Sequence, residues 1–505
     1  MMVTLHDMLR DVEVTSAPAA LDIPILGIAY DSRQVRPGWL FVAIRGFHLD
    51  GHQYVAQAIA AGAAAVVVDA RHWGGDPPGV PLIRVADSRV ALAPLAANFY
   101  RRPAMSLRTV GITGTKGKST TTDLVSQVIE GGGLSTGMIS TVDFKVGPRR
   151  WPNSTRQSTP EAVEIQGLLR EMVDAGCSYA VIESTSHALS ARWNRLGGCA
   201  FDVAVFLNIT HEHLDYHGSF AQYRADKARL FEMLGEGEKG EAWAIANADD
   251  PSHQYFLDAA PARARRLTFG IRAEADLRAH EVSAGPGGSS LRVTTPWGEA
   301  RLQLYLPGSF NVSNALAALG VALSQGIPLE RAVAALEAVP GIRGRMQPVS
   351  MGQPFDVIVD YAHNPDSFEQ VLGMLRPLTQ GRIIAVFGSA GERDRAKRAV
   401  QGQIAGRYAD LLVLTDEDPR GEDPAAIIAE IAEGAEHAGK RSGDGYLCIP
   451  DRAEAIRAAM AAARPGDLVL LLGKGHEGNI IYAAGAIPWD EAESARNALR
   501  ALGYE

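Results

Sequence analysis

The stretch Thr109-Val110-Gly111-Ile112-Thr113-Gly114-Thr115-Lys116-Gly117-Lys118-Ser119-Thr120 decides the fold class. An apolar, β-branched run ends in a glycine-rich loop, and a helical pattern over 121–130 follows at once. Strand, loop and helix in that order form a phosphate cradle. Glycines let backbone N–H groups crowd around oxygens, and a helix N-terminus favours anions. Lys118 supplies a cation for the β/γ-phosphates and Ser119 a hydroxyl for Mg²⁺. The spacing departs from G-x-x-x-x-G-K-[ST], which would put its first glycine at Ile112, whereas the chain has it at Gly111. Gly114, Thr115, Lys116, Gly117, Lys118, Ser119 and Thr120 are the predicted ATP contacts.

Outward from this loop, short apolar runs alternate with Ala/Leu-rich helical patterns almost from end to end. Examples are 64–68, 179–182, 203–208, 357–359, 383–387, 411–415 and 468–472. Such runs read as buried parallel strands, so the class is α/β with several sheets. Shorter alternating segments between 272 and 306 predict a small antiparallel patch. Seams at Arg101–Ser106 and Val339–Arg345 divide the 505 residues into three domains, 1–105, 106–340 and 341–505. The central one is a mostly parallel phosphate-loop domain, and the last is Rossmann-like.

Composition narrows the function classes. With 46% hydrophobic and 21% charged residues the chain is an ordinary globular protein. Lys and Arg total 49 against 58 Asp and Glu, net −9, which argues against a nucleic-acid partner. Cys177, Cys199 and Cys448 make no Cys-x-x-Cys pair and read as small buried hydrophobes. No signal peptide or membrane-length apolar run is present, so a cytoplasmic monomer acting on small molecules is expected.

The form G-x-x-G-T-x-G-K-[ST] resembles the ATP loop of the Mur ligases and folylpolyglutamate synthetases, which implies ATP-driven amide formation. Glu183, in Ala180-Val181-Ile182-Glu183-Ser184-Thr185-Ser186-His187, ends an apolar strand and resembles the family glutamate that holds Mg²⁺. The run Asn208-Ile209-Thr210-His211-Glu212-His213-Leu214-Asp215-Tyr216-His217-Gly218 fits no zinc spacing. It resembles the family's N-[IL]-x-x-[DE]-H-L-D-Y-H-G, which makes His213 a metal ligand. Lys227 stands where the family carries a carbamylated lysine, a further Mg²⁺ ligand. Asn311 and Asn314 resemble adenine-side contacts. Arg345, in Gly344-Arg345-Met346, and Asp360 and His363, in Asp360-Tyr361-Ala362-His363, resemble residues that reach the nucleotide. The resemblance thus implies catalytic roles for Lys118, Glu183, His213, Lys227 and Arg345.

The N-terminal block Asp31-Ser32-Arg33-Gln34-Val35-Arg36-Pro37-Gly38 is similar to the UDP-binding domain of the MurE and MurF types, a domain that folylpolyglutamate synthetases lack. Ser32, Arg33, Ser158, Thr159, Thr185 and Arg195 match UDP-sugar-peptide contacts, Arg195 only if two extra residues are allowed before it. Arg393, Gly473 and Glu477 match amino-acid contacts. The selectivity loop reads Glu417-Asp418-Pro419-Arg420 where diaminopimelate-adding enzymes have D-N-P-R. Arg420 keeps a fork suited to a distal carboxylate. Asp418 adds a charge that would repel that carboxylate and favour a terminal ammonium. The resemblance to the MurE type therefore implies ATP- and Mg²⁺-dependent addition of meso-diaminopimelate, with L-lysine or L-ornithine as alternatives, to UDP-N-acetylmuramoyl-L-alanyl-D-glutamate. Rival readings are a MurF-type ligase, a folylpolyglutamate-synthetase-like ligase, an amidotransferase partner and a nucleotide-binding regulatory protein of the same fold.

Overall fold

The computed structural model describes residues 2–505 apart from 47–48, 76–78, 156, 211–213, 238 and 286. The chain divides into two compact units, Met1–Leu277 with Ala317–Pro328, and Arg278–Leu316 with Leu329–Glu505.

The first unit contains two α/β sheets. The N-terminal one orders its strands Val14–Ser16, Leu82–Val85, Ala65–Asp69, Trp39–Val42 and Gly27–Ala29, parallel except for the first pair. Ala65–Asp69 is buried along its whole length, as the unbroken run Val66-Val67-Val68 demands of a central strand covered on both faces. In the larger sheet the phosphate-loop strand Arg108–Thr113 lies between Tyr179–Glu183 and Val203–Phe206, all three parallel. Trp243–Asn247 and Arg265–Gly270 extend it in parallel on one side. On the other side the hairpin Asp143–Val146 and Arg149–Pro152 turns at Gly147 (φ +56°) and is antiparallel. The sequence reading missed this hairpin. Pro152 cannot donate to a ladder, which suits the edge strand where it sits.

The second unit opens with three antiparallel strands, Leu277–Gly285, Gly288–Thr295 and Gly298–Leu304, in the region where short alternating segments were expected. Its main sheet runs Gln347–Pro348, Asp356–Asp360, Leu468–Leu472, Ile383–Phe387, Leu411–Leu414 and Tyr446–Cys448. All neighbours are parallel except the first pair. Leu468–Leu472 and Ile383–Phe387 are wholly buried. The loops that follow the carboxyl ends of these strands are where ligands bind in open α/β sheets. Cys177 and Cys199 are buried, but Cys448 is exposed, contrary to the reading of all three as core residues. It ends an edge strand, where only one side of the sheet has a neighbour.

Candidate active site

In the first unit, Ile112 pairs with Glu183 and Thr113 with Phe206, so the phosphate loop leaves the sheet between two strand ends. Gly117 caps the helix Lys118–Gly131 with a left-handed backbone (φ +86°), which a side chain would penalise. Ser119 and Thr120, each 7% exposed, lie on that helix's first turn. Asn208 grips the loop from the segment that follows the neighbouring strand Val203–Phe206. Its carbonyl accepts the Thr115 N–H at 2.8 Å and its Oδ1 the Lys116 N–H at 2.9 Å, while its Nδ2 donates to the Lys116 carbonyl at 3.0 Å.

Lys118 turns its ammonium onto the loop, donating to the carbonyls of Gly114 at 3.0 Å and Thr115 at 2.8 Å. Lys227, on the helix Phe220–Glu232 and only 1% exposed, donates to the same Gly114 carbonyl at 2.8 Å. Two ammonium groups therefore converge on one oxygen. Their repulsion favours an anion in the loop. Next to Lys227, the Asp226 carboxylate accepts from the buried His217 ring at 2.6 Å, and the ring's other nitrogen lies 3.1 Å from Ser186 Oγ. This chain ties the Lys227 helix to the segment that follows Glu183.

Glu183 is 2% exposed, and its Oε2 accepts the Thr141 N–H at 2.8 Å. Among the described residues no ion pair engages it. A buried carboxylate without a counter-charge is unfavourable, and like the Ser119 hydroxyl it is a hard oxygen donor of the kind that could hold Mg²⁺. His213, a predicted ligand, lies outside the described residues.

The predicted sugar-peptide residues fall in two places. The Thr159 hydroxyl donates to the Glu183 carbonyl at 2.7 Å and sits 3.1 Å from the Thr185 hydroxyl, with Ser158 one residue before it. Arg195 reaches the Thr159 carbonyl at 3.2 Å and Glu161 at 2.8 Å, and Arg89 forks onto the same Glu161 at 3.0 and 3.1 Å. Ser32 and Arg33 lie on the turn Ser32–Gln34. Ser32 donates to Gln57 at 3.2 Å, whereas the exposed Arg33 folds onto Asp31.

The second unit gathers its predicted residues at strand ends. Asn311 and Asn314 are buried on the helix Ser309–Ser324 and hydrogen-bond to each other at 3.1 Å. Asp360 accepts the backbone N–H of Met346 and of Ala362, each at 2.8 Å, and burial pushes its carboxyl above the usual range. Those bonds join the Arg345 loop to the strand Asp356–Asp360. The Arg345 guanidinium stacks 4.9 Å from the Tyr361 ring, and its Nε is buried with no hydrogen-bond partner among the described residues. His363 Nδ1 lies 2.9 Å from the Tyr361 carbonyl, and burial holds the imidazole below its ordinary value.

The amino-acid loops are held by charge. Lys474, fully buried, donates to Asp418 at 2.8 Å and to Glu477 at 2.6 Å, and Asp418 also accepts the Ile481 N–H at 2.9 Å. The negative charge that Asp418 was expected to turn on a substrate carboxylate is thus met inside the protein. Glu417 is buried, its Oε2 has no hydrogen-bond partner among the described residues, and desolvation raises its carboxyl to about 7. A Cβ on Gly473 would stand 2.8 Å from that oxygen. Pro419 presses its carbonyl on Gly391, where a Cβ would come within 2.1 Å. Arg420 has a left-handed backbone (φ +55°), and its Nε is buried with no hydrogen-bond partner among the described residues. Arg393 is exposed, outside this buried group. Sequence reasoning singled out neither Asn208, which opens a motif it quoted, nor Lys474, which stands between the predicted contacts Gly473 and Glu477.

A phosphate loop backed by two lysines and a buried strand-end carboxylate, on a mostly parallel sheet, defines a nucleotide-dependent enzyme of the phosphate-loop class. Family comparisons narrow the class. The Mur ligase family catalytic domain matches residues 24–100, the Mur ligase middle domain 112–322, and the Mur ligase glutamate ligase domain 344–475. The UDP-N-acetylmuramyl-tripeptide synthetase of Roseiflexus sp. (strain RS-1) is 61% identical over 506 residues, covering 99% of each chain. The UDP-N-acetylmuramoyl-L-alanyl-D-glutamate--2,6-diaminopimelate ligase of Geobacillus kaustophilus (strain HTA426) is 42% identical over 484 residues, 95% of this chain and 96% of the relative. A solved structure of a ligase with that same description superposes with a TM-score of 0.70 at 29% identity, covering 100% of both chains. The chain belongs to the Mur ligase family, whose members are ATP-dependent, amide-forming ligases that use Mg²⁺. Among the described residues no helix is long and apolar enough to cross a membrane.

Proposed function

We propose that this chain is a MurE-type ligase of peptidoglycan precursor synthesis, joining meso-2,6-diaminopimelate to UDP-N-acetylmuramoyl-L-alanyl-D-glutamate. The observation that carries this reading is the 61% identity over 99% of both chains with a protein described as a UDP-N-acetylmuramyl-tripeptide synthetase. The D-glutamate side-chain carboxylate is activated as an acyl phosphate at the expense of ATP, and the incoming amine then displaces phosphate. Ser119, Glu183, His213 and, once carbamylated, Lys227 would hold Mg²⁺, which would supply positive charge against the phosphates.

The residues divide the work. Lys118 and the backbone N–H groups of the loop that Asn208 does not hold, those of Gly114 and 117–120, bind the phosphates, while the N–H groups of Thr115 and Lys116 go to Asn208. Arg345 stabilises the transferring group with a permanent charge. Asn311, Asn314, Asp360 and His363 orient the nucleotide. Ser32, Arg33, Ser158, Thr159, Thr185 and Arg195 hold the UDP-sugar peptide, and Arg393, the loop 417–420, Gly473 and Glu477 hold the amino acid. Carbamylation of Lys227 joins its neutral amine to CO₂ with loss of one proton. It replaces one of the two ammoniums crowded at the Gly114 carbonyl with an anion. Diaminopimelate is favoured because Lys474 compensates Asp418, which leaves Arg420 to read the distal carboxylate. The enzyme is read as a cytoplasmic monomer of three domains, 1–105, 106–340 and 341–505, acting on small molecules.

Phosphate release with ATP, Mg²⁺ and UDP-N-acetylmuramoyl-L-alanyl-D-glutamate tests the assignment, with meso-diaminopimelate, L-lysine and L-ornithine added singly. Diaminopimelate-dependent release is expected. Release with lysine or ornithine alone would overturn the substrate choice, and silence with all three would overturn the MurE reading.

A further inference from the structure

The loops 417–420 and 473–477 follow the strands Leu411–Leu414 and Leu468–Leu472, which are not neighbours, because Ile383–Phe387 lies between them. Lys474 joins the two loops directly by donating to Asp418 at 2.8 Å, and a second side chain holds their bases at the strand ends. Arg452, the first residue of the helix Arg452–Ala462, donates Nη1 to the Asp416 carbonyl at 2.8 Å and Nη2 to the Leu472 carbonyl at 2.7 Å. Asp416 immediately precedes Glu417, and Leu472 immediately precedes Gly473. Beneath, Gly388 leaves the middle strand without a side chain: a Cβ there would lie 2.2 Å from the Thr415 carbonyl and 2.9 Å from the Glu417 nitrogen.

The guanidinium is fixed in turn. Its Nε and Nη2 donate to Glu491 at 2.9 and 2.6 Å, and both side chains are fully buried. Glu491 also accepts the Trp489 indole N–H at 2.6 Å, and with Gly475, His476 and Glu477 it lines a cavity of about 200 Å³. Stability alone is a poor reason to keep such a pair, since well-packed apolar residues of similar volume often serve a fold as well or better. The feature that an apolar pair cannot reproduce is the simultaneous hold on two loop carbonyls.

We propose that Arg452 is a positioning residue for the amino-acid substrate, setting the spacing between the 417–420 and 473–477 loops. This rests on the reading that those loops hold the diamino acid. Arg452 touches no substrate. A spacing error in a two-sided receptor weakens the ligand bridging it and leaves the phosphate loop's affinity as it was.

The test compares the full-length wild type with Arg452→Lys and with the double variant Arg452→Met/Glu491→Leu, measuring KM for the diamino acid, ATP and the UDP-sugar dipeptide beside the thermal midpoint. The double variant should melt near the wild type yet raise KM for the diamino acid at least tenfold, with KM for ATP within twofold. Arg452→Lys keeps a charge but can reach fewer partners, so it should fall between the two. If the double variant fails to fold, Arg452→Lys carries the same comparison. Unchanged diamino-acid KM in the folded variants, or an equal rise for ATP, overturns the role of Arg452 alone. A wild type that turns over with no diamino acid overturns both this inference and the reading beneath it.

Discussion

The phosphate loop in the first unit and the amino-acid loops in the second solve opposite problems with opposite materials. The phosphate loop is organised by uncharged groups: Asn208 and backbone carbonyls hold Gly114–Gly117, and the cations Lys118 and Lys227 are parked on the Gly114 carbonyl. The amino-acid loops are organised by charge, with Lys474 between Asp418 and Glu477, and Arg452 on Glu491. A site for a polyanion turns its cations onto a carbonyl of its own loop, the oxygen of Gly114. A site for a zwitterion can commit charges to its own scaffold and read the ligand with what is left over.

If the cations of the phosphate loop are held for the ligand, removing one should damage turnover and spare the fold. Lys118→Ala is expected to lower kcat by about 10³–10⁴-fold, read by phosphate release at saturating substrates, with the thermal midpoint nearly unchanged. Lys227→Ala should lower it by about 10³-fold. Added formate or acetate should restore part of the loss, as the carbamate reading requires, and a ¹³C resonance from labelled bicarbonate should vanish in the variant. Absence of both effects would leave Lys227 as an unmodified lysine and break that half of the comparison.

In the second unit the same kind of deletion should strike stability first. Lys474→Met strands the Asp418 carboxylate and should remove about 3 kcal/mol in urea unfolding. Adding Asp418→Asn should return part of it, since the stranded charge is gone. Glu417 gives a smaller, pH-dependent effect. Its carboxyl sits near 7 in the fold and near 4.5 when unfolded. The folded protein therefore binds more protons between those values, and stability falls as pH rises through that window. Glu417→Gln should match the wild type near pH 5 and exceed it by about 2 kcal/mol near pH 8. A pH-independent difference would mean that Glu417 is charged throughout.

What could be read in advance follows the range of the interactions involved. Ile383–Phe387 and Leu468–Leu472 are legible as strands because an unbroken apolar run buried on both faces has no other stable place. The phosphate loop is legible because its glycines, lysine and hydroxyl are contiguous. The hairpin at 143–152 is not, since its buried Phe144 and Val146 alternate with polar residues over too short a span. The charge on Asp418 could be read but its partner could not: Lys474 lies 56 residues away, and only the order of strands brings the two loops together. Asn208 is hidden for the same reason, 92 residues from the loop it grips.

Arg452 holds its two loops by their carbonyl oxygens, at Asp416 and Leu472. A carbonyl is the same atom whatever side chain follows it, so this anchorage does not register which residues occupy 417–420. Substitutions there can retune the preferred amino acid while the loop stays at its post. Relatives that differ in their diamino acid can then be separated by very few steps, each passing through a folded protein, and a designer seeking a new specificity should vary 417–420 and leave 452 alone.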